Sequence, residues 1–451
     1  MSEQANPNQS PHQYKLERVL LESEKLGRDF NLYRIISEIN IFEHIDKPYL
    51  TASIIISDNN NVITDIDILG TEKVTIELNT EIEGGSSQFT ITKKFIITEI
   101  VAGVKSSDYQ ESWIINLIED IGYISRLTRV SKSYTSAPSD IIKKIVNEFL
   151  GREVLQISKT EHKEEKPMKV IVPNMTPLES ANWIKDRIST QDGMPFFLYS
   201  TLCDDKLRYV DLETVLKSNP LNIERPYTYS QTFGSEMAKY DKITQSYIIQ
   251  GYKAVNQENQ LNLSRGGWGG ATYNFIDTTI GKNEISKFNI NQVFQGLKSR
   301  GALKPDQNKQ IYDDQALING KSIHDYDTRE ITQISTSNIF TDNTYNYYES
   351  SNIKGHMLKP TAKAMRNFVH KSSIDINVAG QNFLYKDICK SIGTVITLDF
   401  KNTREVNPGE QHRDVKRSGE YMIYAARHVF SGQKYNVNLS CVKLANERPI
   451  S

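Results

Sequence analysis

The stretch SSIDINVAGQNFLYKDICKSIGTVITLDF, residues Ser372–Phe400, alternates apolar and polar residues on both sides of a polar interval. Its first half places Ile374, Ile376 and Val378 two positions apart, which is the period of a β-strand with one buried face. A second alternating run follows the next glycine, so the stretch predicts two strands separated by a turn region. Nearly the same pattern occurs early in the chain as TASIIISDNNNVITDIDILGTEKVTIEL, residues Thr51–Leu78.

Each of the two stretches is followed by two more strand-like runs, in the same order and at nearly the same spacing. These four runs, two in each region, are Phe95–Ile100, Trp113–Leu117, Tyr421–Ala425 and Tyr435–Leu439. Repetition of strand order, turn position and length predicts one antiparallel β unit that occurs twice in the chain. The alternative is that any two antiparallel sheets look alike in sequence, and the residues alone leave it open.

The composition is that of a chain able to bury sizeable cores, since 38% of its residues are hydrophobic and 24% are charged. A length of 451 residues predicts about two to four domains at roughly 100–200 residues each. The formal net charge of −1 argues against a broad basic surface that grips nucleic-acid phosphates.

The three cysteines, Cys203, Cys389 and Cys441, lie in separate segments, which argues against a disulfide framework and favours a reducing compartment. No Cys or His spacing typical of a zinc site is present in the sequence. The polar amino terminus does not resemble a signal peptide, and no stretch approaches the roughly 20 apolar residues that cross a bilayer. The sequence therefore predicts a soluble protein with no membrane-spanning segment and no metal or other cofactor.

Two amphipathic helices are predicted in the middle of the chain. SAPSDIIKKIVNEFLG offers Ser139 or Asp140 as the N-cap and ends at Gly151, a residue type that favours the left-handed C-cap conformation. TPLESANWIKDRIST has Thr176 as the N-cap, proline at the first helical position and Glu179 at capping-box spacing. Both helices, with the strand-like runs that follow them, predict an α+β section.

The region from about Asn256 to Lys359 is polar and weakly patterned, which predicts irregular β structure at the periphery. A helix at about Pro360–His370 and strands from Ser373 to Leu444 follow. The predicted division of the chain is a flexible amino-terminal segment 1–27, a first β module 28–130, an α+β insertion 131–235, a second β module 236–255 and 360–451, and a polar peripheral insertion 256–359.

Two motifs in the polar insertion could bind a ligand, and each has a simpler structural explanation. Residues 266–270 read GGWGG, but no Lys-Ser or Lys-Thr follows as in a phosphate-binding loop, so a surface loop anchored by its tryptophan is favoured. The motif HDYDTRE lacks the glycine and the terminal glutamate of an EF-hand loop, so a solvated polar loop is favoured over a cation site. Its candidate ligands are His324, Asp325, Asp327 and Glu330.

Two further motifs contain residue types that can act as catalytic groups. EHKEEK contains Glu161, Glu164 and Glu165 in a charge run, which is typical of a solvated face. His428 lies within the apolar run YMIYAARHVF, which favours a packed or hydrogen-bonded side chain over a catalyst. No nucleophile motif such as G-x-S-x-G is present, although a glycosidase pair of carboxylates is not excluded by sequence. The sequence thus predicts no catalytic, cofactor-binding or metal site.

Four stretches resemble the baseplate hub subunit of contractile-tailed bacteriophages, a family related to the head of type VI secretion spike proteins. Together they cover roughly Leu32–Asp211 and Lys359–Leu444, which is well over half of the chain. The four stretches are YLTASIIISDNNNVITDIDILGTEKVTIEL, RLTRVSKSYTSAPSDIIKKIVNEFLG, VPNMTPLESANWIKDRISTQDGMPFFLYSTL, and HMLKPTAKAMRNFVH followed by IDINVAGQNFLYKDICKSIGTVITLDF. The region from about Asn256 to Lys359 matches nothing in that family.

The resemblance implies a mainly β protein with an α+β insertion and two tail-tube-like antiparallel β-barrel modules in one chain. It implies that three copies of the chain form a homotrimer with the shape of a pseudo-six-fold ring. This ring would join the tail tube protein to a three-fold central spike protein and line a channel for DNA passage. Implied further partners are baseplate wedge proteins and the tape measure protein, with passing DNA contacted only non-specifically. The implied location is the virion tail baseplate, after assembly in the host bacterial cytoplasm.

Two alternatives remain beside this structural role. The chain could be a peptidoglycan hydrolase at the tail tip, which would be an enzyme instead of a structural protein. It could also be a type VI secretion spike head, for which we would expect a spike domain after the second β module. The sequence ends at Ser451, soon after the last predicted strand, and this favours a hub whose spike is a separate chain.

Overall fold

The computed structural model describes most of the chain, with gaps in several loops and at both ends. The described residues are 12, 14–23, 25–66, 68–80, 89–107, 109–157, 167–229, 240–257, 260–278, 280–299, 317–335, 355–368, 372–383, 391–407, 410–414, 417–432 and 434–443. The predicted charge run at Glu161, Glu164 and Glu165 lies outside them.

The first β module is an antiparallel sheet of seven strands with one short helix. The strands are β1 (Lys15–Ser23), β2 (Arg28–Asn31), β3 (Ile36–His44), β4 (Thr51–Asp58), β5 (Lys73–Thr80), β6 (Phe89–Ser107) and β7 (Gln110–Glu119), and the helix is α1 (Val62–Ile66). Their spatial order is β2-β1-β5-β6-β7-β4-β3. Residues 32–35 link β2 to β3, the two outermost strands of this order. The backbone N–H of Leu32 donates to the carbonyl of Val19, and the backbone N–H of Ser57 donates to the carbonyl of Ile35.

The prediction that residues 1–27 form a flexible segment is wrong for Lys15–Ser23. These residues form β1, which pairs with β5 along its length and buries Val19 and Leu21 completely. The short alternating run in KLERVLLES is flanked by charged residues, so its pairing partner, more than fifty residues away, decides that it is a strand.

The α+β insertion has its own apolar core. Its strands are β8 (Ser133–Ser136), β9 (Val154–Ile157), β10 (Met168–Ile171), β11 (Phe196–Tyr199) and β12 (Leu207–Asp211), and its helices are α2 (Asp120–Leu127), α3 (Pro138–Leu150), α4 (Pro177–Lys185) and α5 (Leu212–Lys217). Its β11 pairs antiparallel with β12, which pairs in parallel with β9. Helices α3 and α4 pack on this sheet through buried isoleucines such as Ile141, Ile145 and Ile184.

The predicted helix ends are mostly confirmed. Thr176 and Glu179 form the predicted capping box of α4, and Gly151 ends α3 with φ at 62° in the left-handed region. The predicted N-cap of α3 at Ser139 or Asp140 is wrong, because the N-cap is Ala137 and α3 begins at Pro138, whose ring presets a helical φ.

The second β module contains a closed ring of six strands. Its strands are β13 (Tyr227–Tyr229), β14 (Ile248–Gln257), β20 (Ser372–Ala379), β21 (Val395–Asp399), β24 (Gly419–Ser431) and β25 (Lys434–Val442), with α6 (Lys242–Ser246) before β14 and the hairpin β22 (Lys401–Asn407) and β23 (Glu410–Arg413) beside the ring. The ring order is β24-β21-β13-β14-β20-β25, and β25 pairs again with β24. The predicted fold class, mainly β with an α+β insertion, is confirmed.

The two modules repeat one strand arrangement. In the first, the order is β5-β6-β7-β4-β3, and in the second it is β21-β24-β25-β20-β14, with antiparallel pairs throughout. Two β-bulges also recur. One follows Ile97 on β6 and Ile423 on β24, and the other follows Ile36 on β3 and Ile249 on β14. Because bulges specify register residue by residue, the predicted duplication is confirmed.

The polar insertion contains more helix than predicted. It forms the sheet β16-β15-β19, the small hairpin β17-β18 and two helices. The elements are α7 (Gln260–Gly266), β15 (Gly270–Asp277), β16 (Lys282–Asn289), α8 (Ile290–Ser299), β17 (Leu317–Ile318), β18 (Lys321–Ser322) and β19 (Glu330–Ser335), followed by α9 (Gly355–Phe368). The inner face of β15 joins the main core through Tyr273 and Phe275. Helix α9 confirms the predicted helix but begins before Pro360.

Candidate functional site

The most extensive contact between the two modules is the pairing of β3 with β24. The first half of β24 pairs with β21, and its second half pairs with β3 in an antiparallel ladder from Ala425 opposite His44 to Ser431 opposite Glu38. Both modules therefore belong to one continuous sheet of 13 strands. We call this ladder the module junction.

A buried polar cluster lies under the module junction. Glu43 on β3 and His428 on β24 are at most 1% exposed, and 3.3 Å separates Glu43 Oε2 from His428 Nε2. The other ring nitrogen of His428 lies 2.7 Å from the hydroxyl of Tyr435, which is also buried. Glu43 Oε1 accepts a hydrogen bond from the backbone N–H of Leu202, in the β11–β12 loop of the insertion. One carboxylate therefore connects both modules and the insertion, and we call this cluster the first anchor.

The protonation of two members of this cluster, Glu43 and Tyr435, follows from their surroundings. Burial alone would raise the pKa of Glu43, but the His428 imidazole and the hydrogen bond from Leu202 outweigh it, so the pKa of Glu43 is lowered. Burial raises the pKa of the Tyr435 hydroxyl well above its usual range. Glu43 is thus held as a carboxylate and Tyr435 as a neutral phenol.

A second anchor binds the insertion to the first module. The ammonium of Lys93 on β6 lies 3.3 Å from Glu119 Oε1 and 3.2 Å from Asp205 Oδ1, and it donates to the carbonyl of Asp204. Arg152 reaches the same loop, 3.1 Å from Asp205 Oδ2. Burial would lower the pKa of Lys93, but the carboxylates of Glu119 and Asp205 outweigh it and raise that pKa. Lys93 therefore stays charged although its side chain is 1% exposed.

A third anchor surrounds Asp46, directly after β3. Its carboxylate accepts hydrogen bonds from Arg366 on α9 at 2.7 Å and from the Tyr424 hydroxyl on β24 at 3.0 Å. Lys185, at the end of α4, lies 3.7 Å from it. Arg366 also donates to the carbonyl of Phe196 on β11 at 2.6 Å. This anchor joins both modules, α9 and the insertion.

The three anchors can orient the parts of the chain, and their ionisable groups are arranged in opposite-charge pairs. Such pairs favour a fixed relative position of the segments that they join, because a buried charge that loses its partner destabilises the fold. In the part of the chain that the structure describes, no group of three or more His, Cys, Asp or Glu residues could hold a metal ion. No helix among the described residues is long and apolar enough to cross a membrane.

The glycine-rich motif is a packing element. Gly266 ends α7 and Gly270 begins β15, while the ring of Trp268 lies 5.0 Å from the ammonium of Lys363. A Cβ on Gly270 would come within 2.4 Å of the carbonyl oxygen of His324, which only glycine avoids. The motif allows β15 to approach the turn that contains His324.

The candidate ligands of the HDYDTRE motif do not form a metal-binding group in the described part of the chain. His324 is 3% exposed, so the predicted solvated loop is wrong for this residue. Asp325 accepts a hydrogen bond from Asn289 at 2.6 Å, and Asp327 pairs with Lys287 at 2.9 Å on the surface. For His428 the predicted packed and hydrogen-bonded side chain is what the structure shows.

Sequence reasoning selected only His428 among the residues of the anchors. It missed Glu43, Lys93 and Asp46, which join parts of the chain that are distant in sequence. A signal existed for two of them: Glu43 lies in INIFEH and Lys93 in TITKKFII, where a charged residue takes an inward position of an alternating strand.

The chain shares its fold with a tail protein of known structure. The tail protein from Neisseria meningitidis MC58 has a TM-score of 0.50 and 11% identity, over 96% of this chain and 97% of that one. The 43 kDa tail protein of prophage MuSo2 from Shewanella oneidensis has a TM-score of 0.48 and 10% identity, over 96% and 100%. No family model and no curated protein matches the sequence. At these identities the similarity to the Neisseria protein shows the fold alone.

Proposed function

We propose that this chain is a structural hub protein of a contractile phage tail, which assembles as a homotrimeric ring between the tail tube and a three-fold central spike. The observation that carries the proposal is the duplicated β module within one continuous sheet. Three copies of such a chain supply six similar modules around an axis. A three-fold assembly can then match a six-fold tube, because near-equivalent contacts repeat around a closed ring.

Two findings support a structural role over a hydrolase. The fold is shared with a tail protein along nearly the whole of both chains. In addition, the buried ionisable groups that the structure describes at the anchors contact groups on other parts of the chain and orient them, and the Tyr435 hydroxyl beside His428 is buried. A peptidoglycan hydrolase stays the second candidate function, because the sequence alone does not exclude a catalytic pair of carboxylates.

The proposal includes the partners and location that a hub would have. These are the tube protein, the spike protein, baseplate wedge proteins and the tape measure protein, in the tail baseplate of a virion assembled in the bacterial cytoplasm. DNA would pass through the ring with only non-specific contact, which is consistent with a net charge of −1.

Light scattering of the purified full chain on a size-exclusion column tests the ring. We expect a mass of three chains of 51.5 kDa each at micromolar concentration, because a closed ring leaves no module interface exposed. A mass of one chain at every concentration, with the co-expressed spike chain of the same tail present or absent, would contradict the ring. A cell-wall release assay with lysozyme as the positive control tests the second candidate. Reproducible release of cell-wall fragments by this protein would favour the hydrolase.

A further inference from the structure

The second half of β6 has one edge, called its free edge here, that pairs with no strand among the described residues. On this edge β5 pairs with β6 only as far as Ile96, and no described strand pairs with residues 98–107 on that side. The same segment exposes large apolar side chains, Val101 at 52% and Val104 at 60%, with Tyr109 at 87% in the turn that follows. An exposed apolar strand edge is a template for pairing with another chain.

This edge is the counterpart of a covered one in the second module. The shared bulge aligns Ile97 of β6 with Ile423 of β24. Beyond that bulge β24 is covered by β3, at the module junction. The corresponding part of β6 therefore has the position of a junction strand but lacks a partner among the described residues.

A matching edge exists on β14. The second shared bulge aligns Ile36 of β3 with Ile249 of β14, so β14 is the counterpart of the strand that covers β24. On the edge away from β20, β14 pairs with β13 only at Ile248 and Ile249. No described strand pairs with 251–257 on that edge, and Lys253 is exposed there.

We propose that β14 of one copy pairs with the free edge of β6 in the next copy, in the antiparallel register of the module junction. The proposal rests on the proposed ring and specifies its interface. The register follows from the repeat. Gly103 corresponds to His428, because β6 has one additional bulge after Ile100 and Gly103 pairs with Trp113 as His428 pairs with Val437. His428 lies opposite Ile41. Since Ile41 corresponds to Ala254, Gly103 faces Ala254 of the neighbour and Val104 faces Lys253.

This pairing joins two different surfaces, so it is heterologous and can repeat from copy to copy. In a ring of three chains the junctions within chains would alternate with junctions between chains, all formed by the same pair of strand types. The backbone ladder would supply the affinity, as in other cases where a strand is added to a sheet edge. The exposed valines of β6 would be covered in the way that β3 covers the corresponding part of β24.

A disulfide trap tests the register in the full chain. Val104→Cys and Lys253→Cys are combined in a Cys389→Ser background, with oxidised glutathione as the oxidant; the other two cysteines are buried. Residues directly opposite in antiparallel strands have Cβ atoms about 4.5–5.5 Å apart, close enough to link after a small shift. We expect a covalent trimer on a non-reducing gel. The matched control, Glu99→Cys with Lys253→Cys, is displaced by five residues and should link poorly.

The outcomes separate the interface from the ring. Trimers by light scattering without cross-linking of the Val104–Lys253 pair would overturn the proposed pairing and leave the ring intact. Equal cross-linking of the displaced control would overturn the register and indicate random collision. Monomers by light scattering would overturn both proposals.

A charge exchange gives an independent readout. Val104→Lys would place a lysine opposite Lys253 of the neighbour, and we expect the trimer association constant to fall by up to about a hundredfold, since each of three junctions would lose up to about fivefold. Adding Lys253→Asp should restore association. Since the side chain of Val104 is exposed in the single chain, the circular dichroism spectrum of the Val104→Lys variant should equal that of the natural chain. Loss of association without rescue by the second substitution would contradict the pairing.

Discussion

Replacing Lys93 by alanine is expected to lower the free energy of unfolding by about 3–5 kcal/mol, the range found when one partner of a buried ion pair is removed. The substitution leaves the carboxylate of Glu119 buried without its cation. Glu119 would keep only neutral donors, the backbone N–H of Leu50 at 2.8 Å and the hydroxyl of Ser200 at 3.3 Å. The β11–β12 loop would also lose the ammonium that holds the carbonyl of Asp204.

Urea unfolding followed by circular dichroism measures this effect. The matched control is Lys132→Ala, because Lys132 pairs with Glu148 at 2.7 Å but both side chains are nearly half exposed. Its loss should cost no more than about 1 kcal/mol. Since the pKa of Lys93 is raised on folding, its contribution is fully present below the unfolded pKa and is lost only as the pH rises through the folded value. Equal costs for the two variants would show that Lys93 does not anchor the insertion.

Replacing Glu43 by alanine is expected to cost a similar amount, about 3–5 kcal/mol, because the residue is buried and charged. The variant removes the acceptor of the Leu202 N–H and the negative partner of His428, and it leaves a cavity under the module junction. Glu43→Gln keeps an acceptor of the same shape and should cost less, about 1–3 kcal/mol. Glu38→Ala is the matched control on the same strand. Its carboxylate is partly exposed and pairs with Arg427 at 3.6 Å, so its loss should cost about 1 kcal/mol or less.

The pH dependence of unfolding provides a second measurement for Glu43. Its pKa is lowered on folding, so its contribution to stability is present above the unfolded pKa, about 4.3 for a free glutamate. That contribution is lost as the pH falls through the folded value. Glu43→Gln should therefore unfold with a shallower pH dependence than the natural chain below about pH 4.3. Identical slopes would contradict the assigned role of this carboxylate.

Local features of the fold were predictable because their causes lie within a few residues. The capping box at Thr176 and Glu179 is a contact between neighbours in sequence, and Gly151 ends α3 because its own φ is positive. The duplication was also predictable, since alternation and turn spacing are local and occur twice. The start of α3 was missed because Pro138 and the candidate N-caps next to it compete within one turn.

The sequence by itself determined most of the strands, their repeated order and the caps at Gly151 and Thr176, because alternation, turns and caps are local properties of the chain. Only the tertiary structure decided that β1 is a strand, that β3 covers half of β24, and that Glu43, Lys93 and Asp46 are buried. The partners of these charges come from segments up to several hundred residues away, so the sequence shows the inward positions of Glu43 and Lys93 but not the groups that they contact. The same reason applies to β6: its free edge is visible only because its counterpart in the second module has a partner.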